Sequence, residues 1–63
     1  MNNIRRTLRI INEEGKEKAL ETLNEGQVRD AYRFIFNDWA PHRYTKEDVI
    51  NSLLRHKNNG RNI

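Results

Sequence analysis

The chain has 63 residues, of which 12 are Lys or Arg and 9 are Asp or Glu, giving a formal net charge of +3. It has no cysteine, which excludes disulfides, thiol catalysis and thiolate metal sites. A chain this short buries only about 60% of its unfolded surface, so stability must come from close helix packing or from a second subunit.

The N-terminal third carries two helical faces. Ile4, Leu8 and Ile11 share one face, with Arg5, Arg6 and Arg9 roughly opposite; Ala19, Leu20 and Leu23 form a second. On one straight helix the two faces would be rotated by roughly 100°. Gly15 lies between them, and glycine readily ends a helix. The pattern predicts a helix over 3–13, a break near Gly15 and a short helix over 16–23. The run Arg-Thr-Leu-Arg-Ile-Ile over 6–11 also admits a short strand. It would belong to a ribbon shared by two chains, as in ribbon-helix-helix DNA-binding proteins, although adjacent Ile10 and Ile11 spoil the alternation.

The middle is clearer. Asn24, with Gln27 three residues later, reads as a capping box. Val28, Ala31, Tyr32, Ile35, Phe36 and Trp39 then follow the spacing of one helical face, predicting a helix over 25–38 that Pro41 bounds. Thr45 is a suitable N-cap, and Glu47 and Asp48 suit the positive end of a helix. Val49, Ile50, Leu53 and Leu54 supply its apolar stripe, and Asn58-Asn59-Gly60 a stop. This predicts a helix over 46–58 and a loose tail over 60–63. The expected architecture is all-α: a compact three- to four-helix bundle forming a single domain over 1–59, with its core drawn from these stripes.

Little in the sequence supports catalysis or metal binding. His42 and His56 lack ligand spacing. The acids Glu13, Glu14, Glu17, Glu21 and Glu25 alternate with Lys16 and Lys18, as on a solvated helix face. Ser52, the sole serine, lies within a helix rather than at a strand–turn elbow. We expect no enzyme, no cofactor and no metal. No apolar run nears the roughly 18 residues that span a bilayer. Arg5-Arg6 is not followed by the apolar stretch of a secretory signal, so the expected location is cytoplasmic.

Two binding readings remain. Drawn on the central helix, Phe34 points roughly 125° away from the apolar stripe, and the loop over 39–44 brackets a basic turn with Trp39 and Tyr44. Exposed aromatics and arginine are frequent hot spots. The first expectation is therefore a small regulatory or adaptor protein that binds a protein partner through Phe34, Trp39, Arg43 and Tyr44. The alternative is a basic DNA- or RNA-binding regulator acting as a homodimer. It would use Arg5, Arg6 and Arg9 with Arg29 and Arg33, and Arg55, Lys57 and Arg61 would extend the surface. The segments 16–23 and 25–38 also suit a helix-turn-helix, with Gln27, Arg29, Asp30 and Arg33 in base-reading positions. A membrane-surface peptide is a third, weaker expectation, because this chain is too acidic for one.

Overall fold

A computed structural model describes residues 3–60, with side chains to residue 57. Helix α1 spans Ile4–Arg9 and runs without a break into a π-helical turn, Ile10–Glu14. Its hydrogen bonds reach one residue further than in an α-helix, so the turn is wider. Adjacent Ile10 and Ile11 are both buried there. Gly15 then breaks the helix at φ 96° and ψ 169°, a region that residues with a side chain essentially avoid. The two apolar faces, out of phase on one straight helix, thus lie on separate helical segments with Gly15 between them. No strand forms over 6–11; those residues are helical.

Helix α2 spans Lys16–Thr22, and Leu23 and Asn24 turn extended into α3, Glu25–Phe36. The capping box is present: the Gln27 amide donates to Asn24 Oδ1 at 2.8 Å, and the Asn24 amide donates to Gln27 Oε1 at 2.9 Å. α3 stops two residues short of the predicted end. Asn37 takes the left-handed conformation, φ 57°, and its amide donates to Arg33 O. An αL residue is a common helix stop, and Asn tolerates it better than other side chains do. Asn37 therefore ends the helix before Pro41 can bear on it, and Trp39 leaves the face on which its spacing placed it.

Helix α4 spans Lys46–Gly60. Thr45 caps it reciprocally: the Asp48 amide donates to Thr45 Oγ1 and the Thr45 amide to Asp48 Oδ2. The helix continues through Asn58 and Asn59, where a stop was expected. Asn and Gly lower helix propensity by only about 1 kcal/mol or less, which does not compel termination. The rest of the expected tail, residues 61–63, lies outside the described residues.

α4 packs against α3, α2 and the π-helical turn, and α1 packs against α3. Ile10, Ile11, Ala19, Leu23, Val28, Ala31, Ala40, Val49, Ile50 and Leu53 form the buried core. Ile4, Leu8, Leu20, Tyr32, Ile35, Phe36, Tyr44 and Leu54 close around it. The radius of gyration is 10.8 Å, against roughly 10.6 Å expected for a compact chain of this length. Lys46 ties two helices together: its Nζ donates to Leu20 O at 2.7 Å and Leu23 O at 2.8 Å, where the C-terminal carbonyls of α2 lack helical partners. No helix among the described residues is long and apolar enough to cross a membrane.

Candidate functional site

α3 buries Val28 and Ala31 on one side. Gly26, Asp30, Arg33 and Asn37, recurring every three to four residues, are exposed on the other. Phe34 flanks this outward strip toward α1 and is 65% exposed. It edges a shallow groove between α1 and α3 with Asp30 and Arg33, while Ile4 and Thr7 line the α1 side. Trp39 is 70% exposed, and the Arg33 guanidinium lies over its ring, 4.3 Å from the centroid. Phe34 and Trp39 are the two large apolar side chains exposed among the described residues. Arg33 connects them, touching Trp39 and sharing the groove with Phe34.

Trp39 sits on a braced loop. Asn37 turns the chain out of α3, the Trp39 amide donates to Asp38 Oδ1 at 2.8 Å, and the Tyr44 amide donates to Pro41 O at 3.0 Å. Arg29 holds the loop from below. Its guanidinium donates to Tyr44 O at 2.6 Å, Ala40 O at 3.3 Å and Pro41 O at 3.4 Å, and pairs with Glu25 at 3.2 Å. Loop carbonyls that no helix or strand satisfies need such donors. Arg29 is the residue whose role the sequence did not show, since backbone carbonyls leave no mark in it.

The expected protein-contact set therefore divides. Phe34 edges the α1–α3 groove, Trp39 borders a neighbouring hollow with Gly26, Arg29 and His42, and Arg33 links them by lining the first and lying over the Trp39 ring. Tyr44 is half-buried, edge-on to Tyr32 at 6.4 Å between ring centroids, and Arg43 lies 5.8 Å from the Tyr44 ring. Arg43 and Tyr44 border a different depression, with Asp48 and Arg55.

The expected polyanion set divides too. Arg5, Arg6 and Arg9 are exposed on α1, away from buried Thr7 and Ile11, and make no ion pair among the described residues. Arg33 is exposed but stacked on Trp39, and Arg29 is half-buried and directed at the loop. Of the base-reading positions, Gln27 is held in the capping box, while Asp30 and Arg33 face outward. Lys57 is half-buried, Arg55 is exposed, and Arg61 lies outside the described residues. His56 packs edge-on against Phe36 at 5.1 Å, and His42 borders a hollow beside Trp39. Comparisons of the chain with protein-family models, with curated proteins and with solved structures return no match.

Proposed function

We propose that this chain is a small regulatory or adaptor protein that binds a protein partner through the outward face of α3. The observation that supports this reading is the exposure of Phe34 and Trp39 on either side of Arg33, which lies over the Trp39 ring and lines the groove that Phe34 edges. Burying one large apolar side chain is worth about 1.5–3 kcal/mol, and this fold leaves two such side chains in water, both beside Arg33. Aromatics and arginine dominate interface hot spots because they bring large area and donors at small conformational cost. Arg43 and Tyr44 belong to a secondary contact at most, since they border a depression that none of Phe34, Arg33 and Trp39 lines.

The test is capture from a cell extract with the immobilised chain, with Phe34→Ala/Trp39→Ala, and with Arg5→Ala/Arg6→Ala/Arg9→Ala. Proteins held by the wild type should be lost from the first variant and kept by the second. Identical protein sets on the wild type and the first variant would refute the reading.

One observation favours a second reading, DNA or RNA binding: the three exposed α1 arginines have no acidic partner among the described residues. It expects a labelled duplex to bind with log affinity falling linearly with log salt. Triple substitution of those arginines should abolish the signal, and absence of binding at low salt would exclude the reading.

A further inference from the structure

The outward strip, three residues of α3 and the Asn37 that caps it, carries a symmetry that bears on the partner. Arg33 turns to Trp39 instead of pairing with Asp30, one turn earlier, and the Asp30 carboxylate makes no hydrogen bond or ion pair among the described residues. The middle of the strip thus presents an unpaired carboxylate and, one turn on, a guanidinium. If two copies of α3 pack antiparallel about a two-fold axis passing between residues 31 and 32, Asp30 faces the second copy's Arg33. The same axis sets Gly26 opposite the second copy's Asn37. A single register brings both pairs together, unlike charges in one and a glycine against the exposed capping Asn37 in the other. Gly26 lets the helix axes approach closely at that end, since it is exposed and carries no side chain. Trp39, stacked on Arg33, is carried toward the second copy's Asp30, whose groove holds Phe34.

We infer that the protein partner is a second copy of this chain, joined face to face through α3 in a two-fold dimer held by two Asp30–Arg33 ion pairs flanked by Phe34 and Trp39. This rests on the reading of that face as a protein-binding surface. Isologous contact is the commonest form of self-association, and it requires a self-complementary patch of this kind. The face is modest. A standard interface takes about 800 Å² from each partner, a sixth of the 4889 Å² exposed here, and α3 is only about 18 Å long. The dimer is therefore weak, with dissociation in the range of roughly 10 µM to 1 mM.

Sedimentation equilibrium on the full chain over that range tests it, with circular dichroism to verify that each exposed-site variant remains helical. Asp30→Arg and Arg33→Asp should each weaken dimerisation by about tenfold or more, because like charges then face each other across the axis. The double swap, Asp30→Arg with Arg33→Asp, should restore the wild-type affinity to within about threefold, since the pairs re-form with reversed sense. A chain that stays monomeric up to about 1 mM, or a dimer indifferent to the single swaps, would overturn the inference. A monomeric chain that still loses its captured proteins on Phe34→Ala/Trp39→Ala would keep the protein-binding reading and discard only the second copy.

Discussion

Replacing Arg29 with methionine should destabilise the fold more than any other exchange of a charged side chain. Methionine keeps an apolar stem of similar reach but removes every donor. The bond to Tyr44 O, at 2.6 Å, is short and charge-assisted, a type worth about 1.5–3 kcal/mol. The bonds to Ala40 O and Pro41 O, at 3.3 and 3.4 Å, are near the limit and add less. The Glu25 pair spans one helical turn and contributes about 0.3–0.5 kcal/mol. The side chain is 26% exposed, so water offsets part of the loss, leaving a cost of about 2–3 kcal/mol. A domain of this size holds only about 3–9 kcal/mol in total. Urea unfolding followed by helical circular dichroism measures it: with a slope near 1 kcal/mol/M, the midpoint should fall by about 2 M. Arg29→Lys should recover less than half, because an ammonium cannot reach three carbonyls in a fixed fork. A midpoint shift under about 0.5 M for Arg29→Met, or full rescue by Lys, would refute the clamp.

Gly15→Ala should cost about 1–3 kcal/mol through backbone strain alone, as a Cβ built there meets nothing within 4 Å. Substituting D-alanine by chemical synthesis should cost less than L-alanine, its mirror-image preference matching the positive φ, and equal losses would remove backbone strain as the cause. Lys46→Met should lower the melting temperature by roughly 5–10 °C, by uncoupling α4 from the C-terminal carbonyls of α2. A melting temperature unchanged within about 2 °C would show those carbonyls to be satisfied without it.

Where local chemistry and periodicity coincide, the fold was legible. Asn24 and Gln27 mark the start of α3, Thr45 marks that of α4, and the stripes between them locate most of the core. Ile10 and Ile11 were read as poor alternation, yet side-by-side isoleucines that both bury are what the π-helical turn accommodates. Pro41 drew the end of α3 too late because its effect on the preceding residue is a strong rule, whereas the αL preference of Asn37 is a weaker one. Phe34 stood out by angle alone. Arg29 and Lys46 did not, because their acceptors are carbonyls 11 to 26 residues away, and any residue type supplies a carbonyl. The division of Phe34 and Trp39 from Arg43 and Tyr44 was equally hidden, since it depends on how the loop bends rather than on spacing.

The single tryptophan of this chain is the more exposed of the two large apolar side chains left in water among the described residues, lying under a guanidinium instead of inside the core. Its fluorescence is thus blind to most of folding: a hydrated indole emits to the red in both folded and unfolded chains. The aromatic rings that report on the interior are Tyr32 and Phe36, which contact each other at 4.4 Å. Core melting is accordingly followed in the near-ultraviolet tyrosine signal, leaving indole emission as a private channel for whatever lands on the outward face of α3.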